Sequence, residues 1–368
     1  MLVYRYLSRQ LLAATLAVTL VLVLVLVFGR FIKYLGDAAE GRIQAEVLFS
    51  LLLFRLPGFL EMILPMSLFM GILLACGRMY VDSEMTVLRA SGVGNAHLAR
   101  LFLPPALMMT LVVASFSTAL TPWGFAAMQQ TMEQQRARPE IDMLSAGRFY
   151  KSTNAGISRA TYARDLVENR TQLENVFIAE FPAGVDSSIS RPSIVTAASG
   201  RRMQDDSGNE FLELQGGFRY EGQPGTANFH VVAFESYRLR VASNPVQPYE
   251  EIRSLPSRAL LERSDLPSLA ELQWRFSIPL MCLVAVLLAV PLSRVEPRQG
   301  RFLKLLPSVL LFLVYLVLLI GCRQWVEKGD LPPALGPWWV HLLFALIGIG
   351  LMFAEEIRLK LSMRRQRA

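Results

Sequence analysis

The sequence predicts a helical membrane protein: six transmembrane helices, with an all-β domain of sandwich or jelly-roll type between the third and fourth. Three observations carry this. Of 368 residues, 53% are hydrophobic and only 18% charged, with mean hydropathy +0.37, an imbalance unlike that of a soluble domain. The apolar residues gather into long runs separated by short polar stretches. Between the third and fourth runs lie about 150 polar residues, too many for a connector and enough for a domain.

The first run, Leu11–Phe28, is free of charge and as a helix covers about 27 Å, close to one hydrocarbon core. Arg5 and Arg9 precede it and small residues follow at Gly36–Ala39, a layout shared with signal peptides. It outlasts an ordinary signal core and continues through Phe31 and Ile32, so it reads as a retained span. The other runs are Val47–Ala75, Leu98–Leu120, Phe276–Leu292, Leu303–Ile320 and Pro337–Phe353. The second is the least regular, containing Arg55, Pro57, Glu61 and Pro65. These runs divide the chain into 1–122, 123–267 and 268–368.

Lys and Arg at the span ends set the orientation. One side gathers Arg5, Arg9, Arg78, Arg89, Arg100, Arg294, Arg298, Arg301, Lys304 and the basic tail from Arg358 to Arg367. The other has Arg30, Lys33, Arg42, Arg323 and Lys328, with acids interspersed. The first side is expected to be cytoplasmic, with both termini inside and the β domain outside. The net charge of +7 follows from this bias and calls for no nucleic acid. Cys76, Cys282 and Cys322 lie in or beside apolar runs and read as small buried hydrophobes. The histidines show no ligand spacing, and no metal site is expected.

The outer domain reads as β. Phe229–Val241 alternates with period two, placing Phe229, Val231, Ala233, Glu235, Tyr237, Leu239 and Val241 on one face. Further strands are expected at Gly156–Leu166, Leu173–Phe181, Ser193–Met203 and Phe211–Tyr220, separated by turn-forming stretches. Such a layer pair can open for an acyl chain or simply pack on itself. The return to the membrane carries Ser268-Leu-Ala-Glu271, which fits a capping box with Ser268 as N-cap. Glu271 and Arg275 are spaced for a helical ion pair.

Between spans two and three the chain writes out RMYVDSEMTVLRASGVG, Arg78–Gly94. Asp82 or Ser83 can cap a short helix over 82–91, and Glu84 falls in its first turn. Val81, Met85 and Leu88 share one face; Asp82, Thr86 and Arg89 share the opposite one. Gly92 and Gly94 end it. An isolated helix this short is marginal in water, so it needs a docking surface. Its own bundle, the lipid surface and a soluble cytoplasmic partner such as an ATPase subunit all meet that need. The chain has no phosphate-binding G-x-x-x-x-G-K-[ST] loop of its own; its nearest approach, Gly36–Gly41, continues with Arg42 and Ile43. G-x-S-x-G and H-E-x-x-H are also absent.

These residues resemble a family. YRYLSRQ near the N-terminus, Leu56–Gly92, LQWRFSIPL at Leu272–Leu280 and VPLSRVEPRQGR at Val290–Arg301 are similar to the LptF/LptG permeases of lipopolysaccharide export, along essentially the whole chain. The EPRQGR ending points to the LptF branch, with Glu296 where Asn is expected. The resemblance implies a multi-pass protein of the bacterial inner membrane with a periplasmic β-jelly roll. It implies pairing with a homologous permease, LptG, around a cavity, and an LptB ATPase dimer below. That dimer binds ATP and Mg, and this chain carries no cofactor. LptC and LptA then receive the lipid. The helix over 82–91 becomes the coupling helix, with Asp82, Ser83, Glu84 and Arg89 as polar contacts and Met85 and Leu88 as its apolar plug.

Lipid A is a wide acylated body bearing phosphates, so its cavity needs apolar walls and a few cations near headgroup level. Arg30 and Lys33, three apart at the outer end of span one, present such cations. On the residues alone they equally well snorkel to membrane lipids; the family's basic residues at this position imply substrate contact. Arg55 is a further candidate without a family counterpart. Two other classes remain in view: a mechanotransmission or scaffold protein that moves its outer domain without carrying lipid, and an intramembrane enzyme. The latter needs a catalytic pair, and Glu61, acidic deep in a span, shows no polar companion in the sequence.

Overall fold

The computed structural model describes residues 2–39, 43–136, 146–154, 157–167, 172–182, 192–204, 210–222, 228–240, 251–294 and 305–367. The EPRQGR segment and Arg42 lie outside them. The chain divides into a helical unit (1–30, 50–129, 250–368) and a second unit (31–49, 130–249) that holds the sheet. The second unit is narrower than the 123–267 expected.

The helical elements are α1 (Leu2–Ala39), α2 (Leu48–Val81), α3 (Glu84–Ala90), α4 (Asn95–Ser115), α5 (Thr121–Arg136), α6 (Ser257–Leu261), α7 (Leu266–Leu292), α8 (Leu305–Lys328) and α9 (Trp338–Arg367). Among the described residues, each of the six expected runs falls on helix for nearly all of its length. Among the same described residues, five helical stretches are long and apolar enough to cross a membrane; the last run is represented by a shorter apolar stretch, Trp338–Phe353. Pro57 and Pro65 sit inside α2 without ending it, as neighbouring helices permit in membrane bundles.

The third span joins α4 to α5 through a π-helical turn, Phe116–Leu120. A π turn frees a carbonyl from the regular ladder. Here the Thr118 carbonyl accepts from Ser257 Oγ at 2.7 Å, and Ser117 Oγ donates to the Arg275 carbonyl at 3.0 Å. The irregular turn is thereby tied to α6 and α7.

α7 is the axis of the helical unit. It packs against α4, α8 and α9, and Ile278, Met281, Cys282, Ala285, Leu288 and Ala289 are sealed within the core. Beside it, His341 of α9 is bracketed by Ser277 Oγ at Nε2 and Tyr315 OH at Nδ1. Hydroxyl groups both donate and accept, so this buried pair of contacts fastens α7, α8 and α9 through one ring. Close packing elsewhere needs glycine: a Cβ on Gly124 of α5 would run into the Phe54 carbonyl oxygen of α2.

The start of α7 differs from the capping box expected at Ser268. Asp265 is the N-cap and Pro267 lies in the first turn; the Asp265 carboxylate accepts from Ser268 N at 3.1 Å and Ser268 Oγ at 2.8 Å. The shift leaves Glu271 free to face inward, toward Arg275.

In the second unit six strands form one antiparallel sheet in sequence order: β1 (Phe149–Asn154), β2 (Ile157–Val167), β3 (Gln172–Pro182), β4 (Ser193–Gln204), β5 (Glu210–Gly222) and β6 (Phe229–Arg240). Five match the expected strands within two residues; β1 was not expected. Among the described residues the sheet is a meander, without the crossed connections of a jelly roll.

The period-two reading of β6 fails at its centre. Pairing lapses at one aligned row, Arg164, Asn175, Ala198, Gly216 and Glu235, where Asn175 and Gly216 have positive φ. One unpaired residue exchanges the faces of a strand. Leu173 and Val176 therefore share one core, as do Leu214 with Val195, and Phe234 with Tyr237 and Leu239. Phe229 and Val231 are left on the exposed side, not with Tyr237 and Leu239.

Candidate functional site

The cytoplasm-facing segment of the sequence reading forms a seven-residue helix, Glu84–Ala90, shorter than the 82–91 expected. Neither Asp82 nor Ser83 caps it through a side chain. Asp82 closes α2, its amide donating to the Arg78 carbonyl at 2.9 Å and its carboxylate lying 3.5 Å from Arg78. Ser83 is left-handed, φ 61°, a conformation costly for a residue with a Cβ, and it turns the chain from α2 into α3. Gly92, φ 91°, ends α3, with Val93 N donating to the Leu88 carbonyl at 3.1 Å, a glycine stop of the kind expected.

The helix docks on its own bundle. Met85 is 1% exposed and belongs to the main core, with Leu88 packed against it. As an apolar plug for a partner, Met85 is therefore unavailable; its burial satisfies the docking need of so short a helix internally. The outward face instead presents Asp82, Ser83, Thr86 and Val87, the last 69% exposed. Glu84 is half-buried and accepts from Tyr6 OH of α1 at 3.0 and 3.1 Å. Arg89 donates to Asn95 Oδ1 at the start of α4 and covers the Tyr80 ring at 5.8 Å. Of the six residues expected to act together, Glu84, Met85, Leu88 and Arg89 lie on α3 and each ties it to the bundle, while Asp82 ends α2 and Ser83 forms the turn between the two helices.

Arg30 and Lys33 stand one turn apart on α1, which is unbroken through both; Arg30 is half-buried and Lys33 exposed. Arg55 lies on α2, its guanidinium 5.0 Å over the Phe125 ring, with Nη1 donating to Met128 Sδ at 3.8 Å.

Arg55 opens onto a group of charges that the sequence did not bring together. Glu61, expected to be without polar company, lines a cavity with Arg55, Thr121, Arg253, Glu271 and Arg323. Glu271 Oε1 accepts from Arg275 Nε at 3.1 Å, and its Oε2 lies 2.6 Å from Arg323. Arg275 also donates to Ser257 Oγ at 2.9 Å and the Arg253 carbonyl at 3.2 Å. Arg323 covers the Trp274 ring at 5.3 Å. Only the Glu271–Arg275 spacing was visible beforehand. Arg323 counted merely as a cation at a span end, since its partner is 52 residues away in sequence. Among the described residues no cluster of His, Cys, Asp and Glu could hold a metal ion.

Residues 5–353 match the family Lipopolysaccharide export system permease LptF/LptG. The chain belongs to the LptF/LptG family. It is 30% identical, over the full length of both chains, to the lipopolysaccharide export system permease protein LptF of Escherichia coli K12, and equally to those of Escherichia coli O157:H7 and Shigella flexneri. The membership agrees with the apolar helices and the separate β-sheet domain inserted between them. It makes the chain a permease subunit of lipopolysaccharide export.

Proposed function

We propose that this chain works as the membrane half of an ATP-driven machine that lifts lipopolysaccharide out of the inner membrane. Both termini and α3 lie in the cytoplasm, and the sheet lies in the periplasm. A homologous permease, LptG, pairs with it, and an LptB dimer supplies hydrolysis, binding ATP and Mg. LptC and LptA receive the lipid.

One observation carries the reading: a helix too short to stand alone in water is fixed to the bundle through Met85, Leu88, Tyr6 and Asn95, while its other face stays in solvent. A lever needs rigid attachment at one side and a free grip at the other. Motion imposed on α3 passes to α1 through Tyr6, to α2 through the Ser83 turn and to α4 through Asn95. Asp82, Ser83, Thr86 and Val87 form the grip, with Glu84, held by Tyr6, at its border.

Arg30 and Lys33 provide cations for the phosphates of lipid A, and Arg55 adds a third at some distance along α2. In the sheet, Phe218, Tyr220 and Val231 share an exposed face, because Tyr220 pairs with Val231 and Phe218 with Ala233. That face suits acyl chains in transit.

Glu84→Ala is expected to abolish co-purification of the nucleotide-binding subunit and lipopolysaccharide export while leaving the membrane-inserted fold intact. Tyr6→Phe removes the exposed hydrogen bond to Glu84 together with the one the hydroxyl accepts from Gln10 at 3.3 Å, each worth about 0.5–1.5 kcal/mol, and is expected to weaken coupling partially. Normal assembly and export in Glu84→Ala would refute the lever.

A further inference from the structure

Two membrane helices carry a proline where the backbone ladder calls for an N–H. Pro122 lies in the first turn of α5, and Pro279 lies inside α7. An α-helical residue donates to the carbonyl four positions earlier, and proline has no N–H to give. The carbonyls that lose this donor are those of Thr118 and Arg275. In a membrane bundle such freed carbonyls are re-satisfied by neighbouring elements, serine side chains among them. Both are served so here. Ser117 Oγ of the π turn donates to the Arg275 carbonyl at 3.0 Å, and Ser257 Oγ of α6 donates to the Thr118 carbonyl at 2.7 Å.

The Arg275 side chain completes the joint. Its Nε donates to Glu271 at 3.1 Å, its Nη1 to Ser257 Oγ at 2.9 Å and its Nη2 to the Arg253 carbonyl at 3.2 Å. Ser257 therefore accepts from Arg275 while donating to Thr118. One residue of α7 thus grips the π turn with its backbone and the segment 253–257 with its guanidinium. Leu255 and Leu260 are buried and seat that segment on the bundle. Apolar side chains would hold these elements together with less desolvation cost than a buried cation. What the forked guanidinium adds is a fixed geometry between them.

The place of this joint in the chain gives it a use. Helices bend where a proline interrupts the ladder, and here two such points are cross-bonded, so neither bends alone. The chain leaves the helical unit after Gln129 and re-enters it at Glu250, with the six strands in between. The third span is the last span before the sheet, and α6 is the first α-helix after it. Toward its other end α7 contributes Leu288, Ala289 and Val290 to the core that also holds Met85 of α3.

We propose that Arg275, Ser117 and Ser257 form a clasp between two proline hinges, so that the third span, α7 and the segment returning from the sheet move as one. Arg275 is a positioning residue: it touches no substrate and acts through the elements it holds. Movement of α7 then reaches both chain segments that bracket the strands, with no separate motion of either. The consequence for export rests on the ATP-driven reading above; the clasp itself does not.

The full-length chain, purified with the subunits that accompany it, is placed in nanodiscs with nitroxides at exposed Met108 of α4 and Leu261 of α6; the native cysteines are buried. Pulsed EPR distances are recorded at rest and during ATP hydrolysis. One narrow distribution is expected in each state for the unsubstituted chain and for Ser115→Ala, whose hydroxyl bonds within its own helix. In Ser257→Ala and Arg275→Lys a second, displaced population is expected to rise about tenfold, the weight of one hydrogen bond to a charged group. Lys keeps the charge beside Glu271 without the fork. Ser257→Thr, which keeps the hydroxyl, is expected to restore the narrow distribution. Ser117→Ala is expected to add a displaced population too, but none in a Pro279→Ala background, where residue 279 regains its N–H. ATP hydrolysis is expected to continue at the unsubstituted rate in these variants while lipid delivered per ATP falls. Narrow distributions in Ser117→Ala, Ser257→Ala and Arg275→Lys alike, or a Ser257→Thr chain that behaves as Ser257→Ala, overturn the clasp. Displaced distances with lipid per ATP unchanged overturn its part in export. An unsubstituted complex that delivers no lipid counts against the ATP-driven reading, and the distances still decide the clasp.

Discussion

Arg275 lies 3.1 Å from Glu271, one helical turn earlier on α7, with 2% and 6% of their side chains exposed. Glu271 holds Arg323 of α8 as well, at 2.6 Å, so one carboxylate serves two guanidinia. Removing one member of a buried pair leaves an uncompensated charge, at about 3–5 kcal/mol. Glu271→Ala strands both cations and is expected to lower the thermal midpoint of the detergent-purified protein more than Arg323→Ala does. A smaller loss in Glu271→Ala than in Arg323→Ala would contradict this account of the cluster.

Gly124 of α5 packs tightly on α2, where any Cβ would meet the Phe54 carbonyl oxygen, backbone that cannot swing aside. Gly124→Ala is expected to destabilise by about 1–3 kcal/mol, the usual range for overpacking. Gly77→Ala, at a position with open space around it on α2, serves as the control and should be close to neutral. Thermal unfolding of the two variants side by side checks the contrast.

Arg30 and Lys33 share one face of α1. Reversing both charges is expected to reduce crosslinking of lipopolysaccharide to a photoreactive residue placed nearby on α1, while the chain still inserts and pairs. Unchanged crosslinking would return both side chains to the headgroups of bulk lipid.

Asp265 caps α7 outside the membrane span, and the Ser268 hydroxyl holds its carboxyl below the usual range for aspartate. A depressed folded value stabilises the ionised form. The cap's contribution is therefore complete above the ordinary aspartate range and fades as pH falls through the lowered folded value. Protection of the amides in the first turn of α7, relative to their intrinsic exchange rates, is expected to fall on acidification below that range, and Asp265→Ala to show low protection at every pH.

The outline of the chain was legible in its sequence. Hydrocarbon runs located the helices and alternation located five strands, because both patterns are local. The cap of α7 was misplaced by three residues: Ser268 and Glu271 fit a local template, and only geometry shows Asp265 doing the capping. Period two along β6 was a sound rule, interrupted by Glu235, whose unpaired row depends on Asn175 and Gly216 in other strands.

By itself the sequence determined which segments are apolar enough to cross a bilayer, which are strands, and the family to which the chain belongs. Each of these is fixed by residues close together along the chain. Tertiary structure alone decided that Met85 faces inward rather than toward a partner, and that Glu61 lies in a cavity with Arg55 and Arg253. It also decided that Glu271 joins Arg323. Burial and charge pairing depend on which helices touch, and contacts between residues tens of positions apart leave no periodic trace in the order of amino acids.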